Sequence, residues 1–460
     1  MYSEVKPGRS LKSWTQRHLN VGIAGGALLL LLTYVVVSQQ FPVSIPNFVT
    51  TQMQRITDNN KQLSNAPGEI EEKDTVVCRP AGPFSDTCEV DGDARVNGTA
   101  RSVLLVPASR PAKRRQWRIR PYARREVSGI KEFTVAQLQD RAAAAAAPPC
   151  TVTHGVPAVL FSLGGHTGNF WHDFADVLVP LFVASRRYDG DVVFLISNIQ
   201  LWWLGKYETL LRRLSRHDAV DLDGDAEVRC FPHVTVGLRM HREFSIVPEW
   251  APGGRRLTMA DFAAFLRETY ALPRAAPASL APEPGKKKPR LLLIHRGHYR
   301  RFVNEQEIAR AAEAAGFEVA VMEPGGGARM EEVARAVNSF DVLVGMHGAG
   351  LTNAVFLPAA AVLIQVVPYG KLEALARREF GEPAADMGLR YLEYSVSAAE
   401  STLVETLGPE HPAIRDPDAV HRSGWEKVAE FYLGKQDVRV DVARFAPTLA
   451  QAMDHLRRRQ

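Results

Sequence analysis

The chain has 460 residues, more than one ordinary domain core accommodates, so we expect two domains with appended segments. Its apolar fraction of 46% and aromatic fraction of 8% are those of a globular protein. A net charge of +5 is small for this length and gives no reason to expect nucleic acid or another polyanion as the partner of the whole molecule.

An uncharged apolar segment lies near the N-terminus. The run from Val21 to Val37 contains no charged residue, and the uncharged flanks extend it to Leu19–Ile45, which is long enough to cross a bilayer. The first basic residue after it is Arg55. The basic residues that precede it are Lys6, Arg9, Lys12 and Arg17. The positive-inside rule therefore predicts a cytosolic N-terminus and a lumenal remainder.

These features predict a cytosolic tail at 1–18 and a single transmembrane signal anchor at 19–41. A cleaved signal peptide is the alternative, but the bulky Tyr34 and Phe41 leave no good cleavage site. The polar residues that follow are interpreted as a stem and lumenal N-terminal segment at 42–110.

All four cysteines, Cys78, Cys88, Cys150 and Cys230, follow the predicted anchor, on the side of the membrane where disulfides form. Four cysteines allow three pairings. Cys78 and Cys88 are close enough for a local loop, which would leave Cys150 with Cys230, and buried free thiols are the alternative. The Asn-x-Ser/Thr sequon at Asn97 predicts N-glycosylation there.

The remaining chain divides into two halves. We predict an N-terminal Rossmann-like domain at 111–272, a Pro-, Ala- and Lys-rich linker at 273–289, a C-terminal Rossmann-like domain at 290–440, and a C-terminal helix at 441–460. Apolar runs at 156–163 and 191–197 predict buried strands in the first half. The basic run KRRQWRIRPYARR at 113–125 is interpreted as the solvated edge of an early strand, or else as a contact for an acidic glycan.

The second half alternates strand and helix signals. Strands are predicted at 290–295, 317–322, 341–345 and 361–367, with helices at 304–315 and 329–338 between them. This alternation is typical of a parallel sheet with βαβ crossovers. The predicted fold class is therefore α/β, with two Rossmann-like domains that face a cleft behind an N-terminal transmembrane helix.

The segment GMHGAGLTN at 345–353 follows a buried strand and opens a helix. Glycines let backbone N–H groups approach a ligand closely, and a helix N-terminus favours anions, so His347, Gly348, Ala349, Gly350 and Thr352 are candidates for binding a diphosphate. The segment lacks the full dinucleotide fingerprint, so NAD is not indicated and no cofactor is predicted. A tight strand-to-helix turn capped by Thr352 is the alternative interpretation.

A second basic segment follows the strand at 290–295. Arg296 and Arg300 can pair with phosphate oxygens, as can the neighbouring Arg301, while a solvated basic loop is the alternative. Because both segments follow strands of the same predicted sheet, together they favour a phosphate site more than either does alone.

Polar residues are dense in GGHTGNFWHDFAD at 164–176. If Asn169 caps a helix, His172 and Asp176 share one face, and a His beside a carboxylate is a usual arrangement for a general base. A metal site with His166 lacks a third well-spaced ligand, and a satisfied core histidine is the remaining alternative.

The acidic segment Asp221-Leu-Asp223-Gly-Asp225 permits two interpretations. Asp-x-Asp binds a divalent metal in many sugar transferases. As a calcium loop it would carry Pro232 where the ligating Glu belongs. We therefore interpret it as an acidic turn and predict no metal ligands.

From about residue 156 to residue 449 the sequence resembles the plant family-61 glycosyltransferases, in particular the grass xylan arabinosyl- and xylosyltransferases. The motifs that carry the resemblance are GNFWHDFADVLVPLF (168–182), GDVVFLISNIQLWWLGKY (190–207), LSRHDAVDLDGD (214–225), VNSFDVLVGMHGAGLTNAVFLP (337–358), FGEPAADMGLRYLEY (380–394) and GWEKVAEFYLGKQDV (424–438). The chain departs from the family at His295-Arg296 and Tyr299-Arg300, where the family usually has Ser-Arg and Thr-Arg. The arginines are retained at both positions.

The resemblance implies a fold of the GT-B type, in which 111–272 is the acceptor domain and 290–440 the nucleotide-sugar-binding domain. It also implies an inverting, usually metal-independent transferase in the Golgi membrane, single-pass type II, whose catalytic part is lumenal. The implied partners are a UDP-sugar donor and a xylan or related polysaccharide acceptor, and the transferred sugar is expected to be a pentose, arabinofuranose or xylose. A metal-dependent transferase of another UDP-sugar such as N-acetylglucosamine is one alternative. A non-catalytic, membrane-anchored glycan-binding subunit is another, and assembly into a homo- or hetero-oligomer is left open.

Overall fold

The computed structural model describes residues 75–81, 84–107, 115–139, 143, 145–277, 288–323 and 328–458. The predicted tail, signal anchor and first part of the stem lie outside these ranges, as does most of the predicted linker. Within them, no helix combines the length and the apolarity that crossing a bilayer requires.

Two β-sheets of ten and five strands organise the described residues. The strands of the first sheet are β1 (Thr75–Ala81), β2 (Ser85–Asn97), β3 (Ser102–Val106), β4 (Arg115–Ile119), β5 (Phe133–Gln137), β6 (Val152–Thr153), β7 (Ala158–Ser162), β8 (Val193–Ser197), β9 (Val220–Asp221) and β10 (Val228–Val236). Those of the second are β11 (Arg290–Ile294), β12 (Glu318–Met322), β13 (Val342–Met346), β14 (Val362–Val367) and β15 (Arg390–Ser395). Helices pack against both sheets, which confirms the α/β prediction.

The first sheet has the order β4-β5-β3-β2-β10-β7-β8-β9, with β1 beside β2 and β6 beside β10. Strands β10, β7, β8 and β9 run parallel, whereas β2 pairs antiparallel with β10, β3 and β1. The sheet therefore begins at Thr75, before residue 111, where the N-terminal domain was expected to start. The overlooked signal is the period of two in β2, whose Cys88, Val90, Ala94 and Val96 are buried between polar neighbours.

The second sheet is parallel throughout, with the order β12-β11-β13-β14-β15. Strands β11 to β14 coincide within one residue with the runs predicted for them, whereas β15 was not predicted. Strands β7 and β8 lie within the runs predicted at 156–163 and 191–197. The parallel pairing follows from the helices between successive strands, because a parallel connection needs a crossover.

The longer helices connect and flank these strands. They are α1 (consecutive segments Phe170–His172, Asp173–Leu178 and Val179–Ser185), α2 (Leu201–Lys206), α3 (Glu208–Leu214), α4 (Met259–Thr269), α5 (Glu305–Ala314), α6 (Met330–Asn338) and α7 (consecutive segments Glu373–Ala376, Arg377–Gly381 and Glu382–Asp386). They continue with α8 (Leu403–Leu407), α9 (Pro412–Arg415), α10 (Pro417–Arg422), α11 (consecutive segments Trp425–Val428 and Ala429–Gly434) and α12 (Val442–Arg458). A 3₁₀ helix spans Ala349–Phe356. The middle segments of α1 and α7 are π-helical.

One hydrophobic core includes residues from both halves of the chain. The ring centroids of Phe174 on α1 and Phe356 in the 3₁₀ helix lie 6.1 Å apart. The ring centroids of Phe244 and Phe380 on α7 lie 6.4 Å apart. These edge-to-face contacts are favourable aromatic geometries. The first contact fixes α1 against the 3₁₀ helix that follows β13, and the second fixes the segment after β10 against α7.

Two disulfides, Cys78–Cys88 and Cys150–Cys230, cross-link strands and adjoining segments of the first sheet. Cys78 and Cys88 face each other across β1 and β2. The pairing is therefore the one in which Cys78 and Cys88 close a local loop. At the end of β2, Asn97 lies in a tight turn, where its Oδ1 accepts hydrogen bonds from the Thr99 hydroxyl and the Ala100 N–H.

Candidate active site

His172 and Asp176 come together at the start of α1. The side chain of Asn169 accepts a hydrogen bond from the N–H of Trp171 and so caps the helix, as the sequence predicts. His172 Nδ1 then lies 2.9 Å from Asp176 Oδ2. The π-helical segment Asp173–Leu178 begins directly after His172, and such segments are frequent at functional sites.

Asp176 is fully buried and completely engaged. Its carboxylate accepts a hydrogen bond from the Tyr122 hydroxyl at 2.8 Å and from Arg124 Nε at 3.0 Å, in addition to the contact with His172. An enclosed carboxylate cannot touch a substrate, so its role here is to orient the imidazole. His172 keeps 22% of its side chain exposed, which makes it the member of the pair that can meet a substrate hydroxyl.

Arg124 links this pair to a second carboxylate. Its Nη2 lies 2.6 Å from Glu243 Oε2, while its Nε is bound to Asp176. Burial opposes the charge, but the hydrogen bond that Arg124 donates to Glu243 and the charge of Asp176 outweigh it and raise the pKa of Arg124. From the sequence, Arg124 was singled out only as part of the basic run at 113–125, which was interpreted as the solvated edge of an early strand. In the structure the exposed edge is β4, and the residues just after it turn inward.

His166, the candidate further ligand of a metal site, does not form a metal-ligating group with His172 and Asp176 among the described residues. The ring of His166 lies 4.4 Å from that of His172, centroid to centroid, and burial together with His172 lowers the pKa of His166. Among the described residues the one potential metal-ligating group is Asp93 with Cys150 and Cys230, and these two cysteines are joined in a disulfide.

The glycine-rich turn after β13 brings backbone and guanidinium groups together. Gly348 has a φ of +136°, and a Cβ added there would lie 3.2 Å from both Arg296 Nη1 and Arg300 Nη2. Glycine is therefore required for both backbone conformation and space. The 3₁₀ helix Ala349–Phe356 starts directly after it, so Ala349 and Gly350 offer free N–H groups beside the two arginines.

Arg296 and Arg300 form no ion pair within the described part of the chain. Burial lowers the pKa of Arg296, and burial together with Arg296 lowers that of Arg300 to about 10. Arg300 and Tyr299 both adopt left-handed backbone conformations, a strain that clusters at functional sites. Two crowded cations without a carboxylate partner favour an anionic ligand. In contrast, Arg301 is bound by Asp437 at 2.6 Å.

Further polar atoms at this turn lack partners among the described residues. They are Arg300 Nε, the hydroxyl of Thr352 and Oδ1 of Asn353, all of them buried. Thr352 does not cap the 3₁₀ helix, which was the alternative to a ligand role. Buried polar groups without hydrogen bonds are unfavourable, so this turn is more polar than its own fold requires.

His347 is buried beneath the turn. Gln365 Nε2 lies 2.8 Å from its Nδ1, which leaves Nε2 to carry the proton. Burial and the nearby Arg300 and Arg296 lower the pKa of His347 to about 3, so the ring is neutral. Its Nε2 lies 3.7 Å from Glu379 Oε2. His347 therefore supports the turn and presents its N–H toward a carboxylate.

Glu379 is a site residue that the sequence gave no reason to select. It lies in the π-helical segment Arg377–Gly381 of α7. Burial and the like charge of Glu243 raise the pKa of Glu379 to about 7, although Arg124 and Arg300 oppose the shift. Arg124 belongs to the network around His172, and Arg300 belongs to the glycine turn. Because the charges of both act on Glu379, this carboxyl lies between the two groups.

A cleft of about 430 Å³ lies between residues of the two halves, beside the glycine turn. Arg296, Gly350 and Asn353 line it on the side of the second sheet, and Phe170 and Lys206 line it on the side of the first. Phe170 is two residues before His172 on α1. The ammonium group of Lys206 lies 4.8 Å from the Phe170 ring, so a third cation faces the cleft.

The acidic segment at 221–225 lies outside this cleft. Asp223 Oδ2 accepts the Asn198 N–H at 2.7 Å and lies 2.9 Å from Lys131 Nζ. Asp225 pairs with Arg229 at 2.7 Å. Asp223 therefore anchors the segment to the end of β8 and to Lys131, while Asp225 is paired with an arginine of β10.

A cleft between two α/β halves, with Arg296 and the glycine turn on one side and, on the other, the first residue of the helix that carries His172, is the arrangement expected of a nucleotide-sugar transferase. The comparisons with known proteins agree. Residues 170–364 match the family model described as "Glycosyltransferase 61". The chain belongs to glycosyltransferase family 61 and is a glycosyltransferase.

Relatives are similar over most of their length. The chain is 45% identical to the beta-1,2-xylosyltransferase XYXT1 of Oryza sativa subsp. japonica, over 81% of this chain and 83% of that protein. It is 40% identical to the alpha-1,3-arabinosyltransferase XAT3 of the same plant, over 91% and 72%. It is also 32% identical to the xylan glycosyltransferase MUCI21 of Arabidopsis thaliana, over 90% and 86%.

Proposed function

We propose that this protein transfers a pentose, arabinofuranose or xylose, from a UDP-sugar to xylan or a related cell-wall glycan, with inversion at the anomeric carbon. The observation that carries the proposal is the cleft between Arg296 and Gly350 on one side and Phe170 and Lys206 on the other. The names of the relatives, xylosyltransferase, arabinosyltransferase and xylan glycosyltransferase, supply the sugar class and the acceptor.

The donor lies on the second sheet in this proposal. Arg296, Arg300 and the N–H groups of the turn at Gly348–Gly350 neutralise the diphosphate, which is where negative charge develops as the sugar leaves. Protein cations can perform this task, so the proposal assigns no metal ligand. The two sheets then correspond to the donor and acceptor halves of a GT-B type fold.

The acceptor lies on the first sheet. His172 Nε2 removes the proton from the attacking hydroxyl, while Asp176 holds the ring through Nδ1 and stabilises the imidazolium that forms. The hydroxyl oxygen attacks the anomeric carbon as the bond to the diphosphate oxygen breaks. The products are the extended glycan and UDP, and the proton remains on His172.

We also propose that the protein is a single-pass type II protein of the Golgi membrane, anchored by residues 19–41, with its catalytic part in the lumen. The support is the uncharged segment with basic residues before it. Two disulfides in the folded part suit an oxidising compartment. Asn97, in an accessible turn, is the proposed glycosylation site.

The test incubates the purified full-length chain with a panel of UDP-sugars and xylan oligosaccharides, with and without EDTA, and measures UDP release and product mass. We expect the mass of one pentose to be added, with EDTA making no difference. EDTA inhibition reversed by manganese would favour a metal-dependent transferase that uses Asp223 and Asp225. Glycan binding without UDP binding or transfer would favour a non-catalytic subunit.

A further inference from the structure

A second cavity, of about 500 Å³, lies on the first sheet. Val77 and Arg79 on β1 line one part of it, and Val183 and Arg187, from the C-terminal end of α1 and the turn after it, line another. The segment after β10 contributes Arg239, His241 and Trp250. It shares no lining residue with the cleft between the halves.

The carboxylates at this cavity are already paired. Glu89 Oε2 lies 2.8 Å from Arg187 Nη2 and 2.7 Å from His233 Nε2. Glu249 is bound by Arg256 outside the cavity. Neither carboxylate is therefore free to neutralise another cation of the wall.

Arg239 has no such partner within the ranges that the structure describes. It forms no ion pair there, its Nε is buried without a hydrogen bond, and its Nη1 makes only a long contact of 3.4 Å with the Trp250 carbonyl. Burial and the like charge of Arg79 lower the pKa of Arg239. A partly buried cation beside a second cation is unfavourable unless an anion joins them.

The rest of the wall suits a ring-shaped polar ligand. Trp250 is 40% exposed, and the Arg239 guanidinium lies 5.0 Å from the centre of its ring. His241 Nδ1 accepts the Val247 N–H, and burial followed by Arg239 lowers the pKa of His241 to about 4. The imidazole is therefore neutral, and its unpartnered Nε2 carries the proton. An aromatic surface beside cations and donors is typical of sites that bind anionic sugars.

We propose that this cavity binds a carboxylate-bearing sugar of a glycan, with the carboxylate on Arg239 and Arg79 and the sugar ring against Trp250. The anionic part of the proposal rests on Arg239, which forms no ion pair in the described ranges, and on the neighbouring Arg79, whereas the choice of a sugar rests on the proposed function. Val183, in the cavity wall, follows His172 by eleven residues on α1, roughly 16 Å along a helix. In the proposal, one glycan chain occupies this cavity while another of its sugars lies at His172.

The test is calorimetric titration of the full-length chain, without donor, with three probes: a xylo-oligosaccharide that bears one glucuronic acid, the same oligosaccharide without it, and inorganic phosphate. We expect the acidic oligosaccharide to bind at least tenfold more tightly than the neutral one, more weakly as salt increases. Arg239→Gln is expected to abolish this preference. The control Arg255→Gln removes the same charge from an exposed position nearby and is expected to retain it.

Equal affinity of the wild-type protein for the two oligosaccharides would overturn the proposal. So would phosphate that binds as tightly as the acidic oligosaccharide and competes with it, because the site would then recognise a free anion. Trp250→Ala provides a second variant if Arg239→Gln does not fold, and it is expected to weaken the acidic oligosaccharide at least fivefold. UDP affinity, measured in parallel, is expected to be unchanged in all variants, so the site can stand even if pentose transfer fails.

Discussion

At the scale of single residues, the chemistry depends on how completely each polar group is engaged. Asp176 uses its carboxylate on three partners and is enclosed, whereas His172 has one partner and remains partly exposed. On the other side of the cleft, Arg296 and Arg300 have no carboxylate partner in the described ranges. Polar groups whose hydrogen bonds are all made within the protein therefore orient other side chains. Those without such partners are available to substrates.

This distinction predicts the effect of removing the imidazole. His172→Ala is expected to lower kcat by roughly a hundredfold or more, since general base catalysis typically contributes that much. UDP affinity should stay the same because His172 lies on the acceptor side. The measurement is turnover and UDP binding on one preparation, with His217→Ala as a control at an exposed histidine paired with Asp191. Full turnover in a folded His172→Ala protein would remove the assignment.

The raised pKa of Glu379 predicts a pH dependence of stability. Its carboxyl has a pKa of about 7 in the folded protein against 4.5 as a model value. The folded state therefore holds the proton more tightly, and stability decreases as pH rises from about 4.5 through 7, by up to about 3 kcal/mol. Glu379→Gln, a permanent mimic of the neutral form, should remove this decrease.

Urea unfolding midpoints at pH 5, 6.5 and 8 measure this effect. We expect the stability advantage of Glu379→Gln over the wild-type protein to grow with pH. The control is Glu373→Gln on the first segment of the same helix. A difference between Glu379→Gln and the wild type that does not change with pH would show that the charge of Glu379 costs nothing in the folded state.

At the scale of elements, the site depends on irregular segments held by regular ones. The π-helical segments of α1 and α7 each place a carboxylate of the candidate site, Asp176 on α1 and Glu379 on α7. The arginines follow β11, and the glycine turn follows β13, its neighbour in the parallel sheet. In such a sheet the carboxyl ends of adjacent strands meet at one edge, so loops distant in sequence come together.

The disulfide Cys150–Cys230 acts at this scale. It joins the segment before β6 to β10, the strand whose continuation carries Glu243, and it closes a loop 80 residues long. Replacing both cysteines with serine should destabilise the protein by about 4 kcal/mol according to loop entropy. Denaturant unfolding measures the loss. The Cys78→Ser/Cys88→Ser variant, which opens a loop of 10 residues, should lose less. An equal loss in the two variants would contradict the loop argument.

The sequence predicted those parts of the site that are local in the chain. His172 and Asp176 are four residues apart on one helix, and Gly348–Gly350 follow one buried strand, so spacing alone reveals them. Arg124, Glu243 and Glu379 were missed, because their contacts join residues far apart in the chain. Arg124 and Asp176 are 52 residues apart, and Arg124 and Glu243 are 119 apart. No local pattern encodes such a pair.

The same reason explains the fold predictions. The parallel sheet of the second half was predicted closely, because its strands are apolar throughout and alternate with helices. The antiparallel strands β1–β3 were not, since half of their residues face outward and the segment appears polar on average. Period-two burial within a charged stretch is the weaker signal.

At the scale of the whole molecule, the two halves of the chain have different proposed roles. The second sheet holds the donor diphosphate, and the first holds the acceptor hydroxyl. Arg300→Gln should affect the donor half alone. A charge-assisted hydrogen bond to phosphate contributes about 2 kcal/mol, so its loss should weaken UDP binding roughly 30-fold. Arg310→Gln, at an exposed position on α5, removes the same charge and should leave UDP affinity unchanged.

The most direct test of this division is the dissociation constant for UDP, measured by calorimetry for the wild-type chain, Arg300→Gln and Arg310→Gln. The account predicts tight binding in the wild type and in Arg310→Gln, with a loss of one to two orders of magnitude in Arg300→Gln. Equal UDP affinity of the three folded proteins would contradict it, because the glycine turn and its arginines would then not be the donor site.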